Sequence, residues 1–283
     1  MDFRQATPDD LAEEFDVFQL AQRELHARRG ADWVERDFSE WERIQLHLLH
    51  HDGGRSFVAE EGGRVVGFTA AWVREGVWFL SALFVVPRRQ GRGIGKRLLG
   101  LAWGEGYRRR MTITDALQPV STATYARRGL IPTTPILRFE GQPRSTAPVH
   151  LEPAVPDPDA LRLLDQAAYG FDRTVDHALW KQTAESATLW VAGGEPAAYS
   201  YVSATGLIGP LAGRDETSAA TALRGELGRL ADRTVAVSCP GTSAELVEVA
   251  LAAGLHMQDP GLLLLSPQAD PPRTLAIHGD WLL

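Results

Sequence analysis

The feature that most constrains this chain is the run Val77-Trp78-Phe79-Leu80-Ser81-Ala82-Leu83-Phe84-Val85-Val86, apolar but for one serine and followed at once by Pro87. A β-strand sends alternate side chains to opposite faces, so a strand that is apolar at both parities has to be covered on both. Ten residues are too few to cross a membrane as a helix. The run therefore predicts a central strand between layers of helix, in an α/β fold with a mixed sheet. Downstream, Ile94, Leu98, Leu101 and Ala102 recur at i, i+4, i+7 and i+8, the stripe of a helix expected over 94–107. Between strand and helix lies Gln90-Gly91-Arg92-Gly93-Ile94-Gly95-Lys96. Its three glycines let the backbone turn tightly and expose successive N–H groups, and a helix start adds unpaired donors at the positive end of its dipole. Arg88, Arg89, Arg92, Lys96 and Arg97 surround it with no acid among them. The junction reads as a cradle for a phosphorylated ligand. It has neither the Gly-x-Gly-x-x-Gly spacing of a dinucleotide fold nor a P-loop lysine, and the kinase catalytic motifs are missing.

Punctuation elsewhere predicts what surrounds that strand. Thr7-Pro8-Asp9-Asp10 starts a helix, with Thr7 at the cap, Pro8 at the first position and two carboxylates facing the dipole. Gly30 stops it. A second helix is expected over 39–51. Strands follow over 56–60 and 64–74, joined through Gly62-Gly63 as a hairpin, and residues 2–5 add an edge strand. Beyond the glycine junction come a strand over 111–116, a helix over 119–128 ended by Gly129, and a strand over 135–140. A linker is set at 143–150. From 151 the order repeats: helices over 157–168 and 175–186, a hairpin of 187–192 and 197–204 about Gly193-Gly194, and a strand over 206–211. A helix over 216–231, a strand over 234–239, a helix over 243–253 and a strand over 261–265 complete it. Two echoes support a duplication: Ala126-Arg127-Arg128-Gly129-Leu130 against Leu251-Ala252-Ala253-Gly254-Leu255, and the paired Gly-Gly hairpins.

Composition narrows the function classes. At 283 residues the chain is long enough for two domains, and 44% hydrophobic with 23% charged residues is the balance of a soluble globular protein. One cysteine, Cys239, excludes a disulfide framework and reads as a small buried hydrophobe. His47 and His51 are four apart but lack a third ligand, so no metal site is expected. The N-terminus shows no secretory pattern, and a net charge of −7 argues against a general nucleic-acid binder. Residues 1–150 hold 21 basic and 19 acidic residues, while 151–283 hold 8 and 17, so the first half suits an anionic ligand better. These readings predict a cytoplasmic monomer or homodimer with no nucleic-acid or membrane partner.

The stretch Leu83-Phe84-Val85-Val86-Pro87-Arg88-Arg89-Gln90-Gly91-Arg92-Gly93-Ile94-Gly95-Lys96 resembles the acetyl-CoA motif of the GNAT N-acetyltransferase superfamily, Gln/Arg-x-x-Gly-x-Gly/Ala after a Val-x-Pro strand end. Gln118 to Leu130 resembles the family's later Asn-x-x-Ala-x-x-x-Tyr-x-x-x-Gly-Phe. The resemblance implies two tandem GNAT-like domains, each a mostly antiparallel sheet flanked by helices: an acetyl-CoA domain over 1–142 and a degenerate one over 151–283. The second loop, Gly209-Pro210-Leu211-Ala212-Gly213-Arg214-Asp215-Glu216, lacks the Gly-x-Gly turn, and its acids would repel phosphate. The tandem arrangement is similar to that of mycothiol-synthase-like proteins.

Carried over by position, the resemblance implies that the main chain of Leu83, Phe84 and Val85 holds the pantetheine arm as an added strand. Gln90 opens the cofactor motif, and the amides of Gly91, Arg92, Gly93, Ile94, Gly95 and Lys96 hold the pyrophosphate. Gln118 stands in place of the family's Asn on the cofactor arm, and Tyr125 in place of the tyrosine beside the thioester sulfur, as catalytic acid. Ser81 occupies a position where the family often has a glutamate. The base that deprotonates the acceptor is then open among Glu24, His26, Asp115 and water, and Trp72 borders the hairpin that lines acceptor sites. The implied function is an N-acetyltransferase moving acetyl from acetyl-CoA to a primary amine of a small molecule or peptide. The alternative is an acyl-CoA-binding regulatory module with weak catalysis.

Overall fold

In the computed structural model, which describes residues 1–144, 148–267 and 269–283, the two-faced apolar run becomes the strand β4 (Val77–Val85). The chain forms two units, Met1–Arg110 and Met111–Leu283. In the first, β1 (Asp2–Gln5), β2 (Phe57–Glu61) and β3 (Arg64–Arg74) join β4 in an antiparallel sheet of order β1-β2-β3-β4. Helices α1 (Leu11–Ala27) and α2 (Phe38–Asp52) cover one face. There Phe18 meets Phe84 edge-on at 5.2 Å, and Trp41 meets Phe68 at 6.2 Å. Helix α3 (Ile94–Ala102) covers the other face, with Ile94 and Leu98 packed among Ala59 and Val85. Helices on both sides are what the apolar pattern required.

Local chemistry fixes the ends of these elements. Asp10 accepts from the Thr7 amide at 2.8 Å and its hydroxyl at 3.0 Å, while Arg4 grips both carboxylate oxygens at 2.7 Å. Asp52 and Arg74 form a buried ion pair at 2.8 Å, and Asp52 also accepts from the Val73 amide at 3.0 Å, tying the end of α2 to β3. Two expectations need correction. Leu101 is 42% exposed, and Leu99 takes the buried place on α3. The helix stops at Ala102 instead of 107, because Gly104 and Gly106 turn to positive φ and Arg110 takes the carbonyls of Trp103 and Gly104.

The second unit opens on β5 (Arg109–Asp115), α4 (Pro119–Ala126) and β6 (Ile131–Gly141). Next come β7 (Glu152–Ala154), α5 (Pro158–Ala168), α6 (Thr174–Thr183), β8 (Ala184–Ala192), β9 (Glu195–Ser203) and β10 (Leu207–Gly213). It closes with α7 (Glu216–Arg229), β11 (Val235–Pro240), α8 (Ala244–Ala252), β12 (His256–Met257), β13 (Gly261–Leu265) and β14 (Leu275–Ala276). The helix expected to 186 ends at Thr183, where β8 begins, and the short strands β7, β12 and β14 were not expected.

The strand order, β5-β13-β6-β11-β10-β9-β8-β7, reveals an exchange. β6 and β13 are the closing strands of the two repeats. Each lies antiparallel to the strand that precedes the other: β13 along β5, from Gly261↔Asp115 to Leu265↔Met111, and β6 along β11, from Val235↔Gly141 to Pro240↔Ile136. They also pair with each other. Residues 111–142 are thereby woven into the same packed unit as the second half, so the compact division falls at 110/111, whereas the domain expected from the sequence runs to 142. The linker expected over 143–150 includes 145–147, which lie outside the described residues. The sequence echoes are echoes of geometry. Gly129 and Gly254 end α4 and α8 at φ 87 and 81, with the Leu130 amide returning to the Tyr125 carbonyl and the Leu255 amide to the Ala250 carbonyl, both at 3.2 Å.

One buried acid makes the first unit pH-sensitive. Glu14 on α1 is 3% exposed, and its Oε1 has no hydrogen-bond partner among the described residues. Burial, and then the charge of Asp10, push its carboxyl up to about 8. The fold keeps a proton that the unfolded chain releases near 4.5, so the residue costs nothing below that value and weakens the fold as pH rises to about 8. Glu14→Gln should therefore stabilise the protein at pH 8, by on the order of a few kcal/mol, and hardly at all at pH 4.5. Denaturant melts at the two pH values check this; an equal gain at both would contradict it.

Candidate functional site

The end of β4 is shaped by the ladder beneath it. Val85, Phe84 and Leu83 pair with Gly67, Phe68 and Thr69, but the register slips between Ala70 and Ala71, leaving Ser81 as the extra residue of a bulge. A bulge bends its strand and takes a residue out of the ladder, a feature that recurs beside functional sites. Past Val85 the chain makes one tight turn over Pro87–Arg89. The Val86 amide donates to the Val66 carbonyl at 3.0 Å, the Gln90 amide to the Pro87 carbonyl at 3.2 Å, and the Gln90 side-chain amide to the Val85 carbonyl at 3.0 Å. The loop is pinned to the strand it leaves.

Gly91 and Gly93 then take φ of 76 and 82, left-handed conformations that β-carbon sterics disfavour. Gly93 caps α3, its carbonyl receiving the Arg97 amide at 3.0 Å. The amides of Ile94, Gly95 and Lys96 are the first of the helix and have no carbonyl behind them. Ile94, buried against Val85, anchors that first turn. A Cβ built at Gly91 or Gly93 meets nothing within 4 Å among the described residues, so the space beside these two glycines is open. Of the five basic residues nearby, two serve the fold. Arg89 pairs with Glu61 at 2.5 Å, and the Arg97 guanidinium stacks on Phe3 at 4.1 Å. Arg88, Arg92 and Lys96 are exposed on the rim. The arrangement can bind an anion through main-chain donors, a helix dipole and a cationic border.

The remaining candidates scatter. Trp72 is fully buried, stacked on Phe79 at 4.9 Å under the Arg74 guanidinium, and works as core. Glu24 pairs with Arg28 at 2.9 Å, and His26 Nδ1 lies 2.9 Å from the Gln22 carbonyl with its ring against Trp33. Across the same face of the first unit, Val17, Leu20, Arg23, Val65 and Val86 border an open groove of about 540 Å³, which no periodicity in the sequence marks. Asp115, Gln118 and Tyr125 belong to the second unit. Asp115 Oδ1 accepts from the Leu117 amide at 2.8 Å, and Gln118 Oε1 from the Val120 amide at 3.4 Å, capping α4. Tyr125 is 5% exposed, and burial pushes its phenol above the ordinary range. Cys239 is fully buried and its thiol is pushed up to about 12 by burial. Among the described residues no group of three or more His, Cys, Asp or Glu is placed to hold a metal ion, and no helix is long and apolar enough to cross a membrane.

At the corresponding junction of the second repeat, Gly213 sits against the next helix. A Cβ there would fall 2.5 Å from the Ala219 nitrogen and 2.8 Å from the Asp215 carbonyl. The Asp215 carboxylate caps α7, accepting from the Ser218 amide at 2.7 Å, and Glu216 accepts from the Glu245 amide at 3.0 Å. One carboxylate thus caps the start of α7, and the next takes an amide from the start of α8.

A folded strand–glycine turn–helix of this kind defines a class. Residues 16–130 match the model of the Acetyltransferase (GNAT) family. Solved structures extend the likeness in fold to the whole chain. A candidate acetyltransferase from Pyrococcus horikoshii superposes with a TM-score of 0.80 at 15% identity, covering 100% of this chain and 95% of that one. A GCN5-related N-acetyltransferase from Sphaerobacter thermophilus gives 0.65 at 17% identity, covering 96% and 98%. A tandem GNAT protein from the clavulanic acid biosynthesis pathway gives 0.59 at 18% identity, covering 95% and 99%. The fold is that of a tandem GNAT protein. No curated protein matches the sequence.

The glycine at the helix start is required by its φ. Gly93→Ala should destabilise the protein by roughly 1 kcal/mol through backbone strain alone. Gly100→Ala, at an exposed position inside α3, should stabilise by a similar amount. Urea unfolding of both variants checks the pair; a neutral Gly93→Ala would contradict the left-handed cap.

Proposed function

We propose that this protein transfers an acetyl group from acetyl-CoA to a primary amine of a small molecule or peptide, with the cofactor held in the first half of the chain. The observation that carries this reading is the open fan of main-chain donors from Gly91 to Lys96. It lies inside the residues that match the acetyltransferase family. In this proposal the diphosphate sits on those amides, and the rim charges of Arg88, Arg92 and Lys96 add attraction screened by salt. The main chain of Leu83–Val85, beyond the bulge at Ser81, takes the pantetheine arm in the manner of an added strand. The role given to Gln118 rests on its motif.

The chemistry asked of the protein is modest. An alkylamine with a pKa near 10.4 is almost wholly protonated at neutral pH, so a proton has to leave before nitrogen attacks the thioester carbon. Glu24, His26 and Asp115 are each engaged in local contacts, which supports water as the carrier of that proton to bulk. Attack forms the C–N bond, and an amide of the bulged strand near Phe84 can steady the oxyanion. Collapse breaks the C–S bond, and the departing thiolate takes up a proton. The motif gives the donor's role to Tyr125, whose buried phenol stays protonated throughout the physiological range. That role rests on its motif and its burial. The groove beside Leu20 and Val86 is the seat proposed for the acceptor.

Serine at position 81 supplies no carboxylate, which is the observation favouring a second reading: a module that binds acyl-CoA without turning it over. Thiol release from acetyl-CoA across a panel of alkyl and peptide amines separates the two. Amine-dependent release is expected, and binding without release would establish the second. Tyr125→Phe should lower kcat by about 10- to 100-fold and leave acetyl-CoA affinity unchanged. An unaltered kcat would remove Tyr125 from the mechanism.

A further inference from the structure

In the second unit, β10 and β11 run parallel but pair only at Leu207↔Ala236 and Ile208↔Val237. Beyond Ile208 the ladder of β10 slips, and its register with β9 resumes at Leu211. The slip stands where β4 carries its bulge at Ser81. Between the diverging strands runs β14, antiparallel to β10, with Leu211 opposite Ala276 and Ala212 opposite Leu275. Main-chain bonds close both ends of the insertion. The Gly213 amide donates to the Thr274 carbonyl and the Ile277 amide to the Ser238 carbonyl, both at 2.8 Å. An extended segment thus bridges the two strands, in the position of the repeat where the first half is proposed to take the pantetheine arm.

We propose that the gap between β10 and β11 is a strand-binding slot whose ligand is residues 274–277 of this same chain, which excludes coenzyme A from the second repeat. The assignment rests on the reading of Leu83–Lys96 as the cofactor site. The fit is tight. At Gly209 a Cβ would come within 2.2 Å of the Ile277 carbonyl oxygen, so glycine is what lets the segment approach. Leu275, Ala276 and Ile277 are fully buried.

The C-terminal tail beyond the segment is fastened as firmly. Arg173, after α5, is fully buried and donates to the main-chain carbonyls of Leu282 and Leu283. Its guanidinium lies between the rings of Tyr169 and Trp180, at 4.7 and 4.5 Å. A buried guanidinium is tolerated only where its donors are satisfied, and here the carbonyls of Leu282 and Leu283 share that task with the buried Asp176 carboxylate at 3.3 Å. The phosphate end of the slot is shut independently by Gly213 against Ala219 and by Asp215 on the helix start. A coenzyme would have to displace a bonded strand and then face a carboxylate.

Hydrogen exchange on the full-length chain, resolved to single amides, tests this with acetyl-CoA as the probe. The amides of Gly213 and Ile277 should exchange at least about 100-fold more slowly than in an unfolded chain, and saturating acetyl-CoA should leave them unchanged. Over 83–96 the coenzyme should slow exchange, and equilibrium dialysis should give one coenzyme per chain. Fast exchange at Gly213 and Ile277, a change there on adding acetyl-CoA, or two coenzymes per chain would overturn the proposal. A failure of the first-half cofactor reading is distinguished by its place, because it leaves 83–96 unresponsive while Gly213 and Ile277 report on the segment with or without coenzyme.

Discussion

A helix has to begin somewhere, and its first amides have no carbonyl behind them. In the first half of this protein that deficit is left open. Gly93 turns left-handed at the cap, Ile94 is sunk into the core beside Val85, and the amides of Ile94, Gly95 and Lys96 have no helical carbonyl behind them. Everything around the junction holds it in that state. Gln90 ties the loop to its strand, Arg89 is drawn off to Glu61, and Arg97 is stacked on Phe3. The cationic rim is thinner than a count of arginines suggests, because Arg89 and Arg97 are engaged within the protein.

The second half starts from the same frame and arrives at the opposite result. Its helix start is capped by Asp215, its glycine is pressed against Ala219, and a strand of its own lies between β10 and β11. One helix start has no side-chain cap, and the other is capped by Asp215. β6 and β13 pair with each other and with β11 and β5, so strands of both repeats share the second unit.

Much of this was legible in the sequence, because periodicity and glycine punctuation are local. The ten apolar residues ending at Val86 announced a strand covered twice, and glycines 91 and 93 announced the tight turn before α3. The Gly129 and Gly254 helix ends announced the repeat. What escaped depends on partners far along the chain. Nothing near Ser81 signals a bulge, since the slip is set by β3. The exchange of closing strands is invisible to a reading that pairs neighbours, and Leu275-Ala276 is too short to stand out as a strand. Leu101 and Leu99 are both apolar, and only the direction of α3 over the sheet decides which is buried. Trp72 sat where a site residue was expected and proved to be core, because the hairpin it belongs to is covered by α2 and the Asp52–Arg74 pair.

The central claim is that main-chain hydrogens at one helix start hold the diphosphate of a thiol-bearing nucleotide. Calorimetric titration of acetyl-CoA into the wild-type chain and into Gly93→Glu tests it most directly. The substitution strains the left-handed cap and sets a carboxylate among the donors, so affinity should fall by at least about 100-fold. A Gly93→Glu protein that is folded and binds acetyl-CoA as tightly as the wild type would contradict the account.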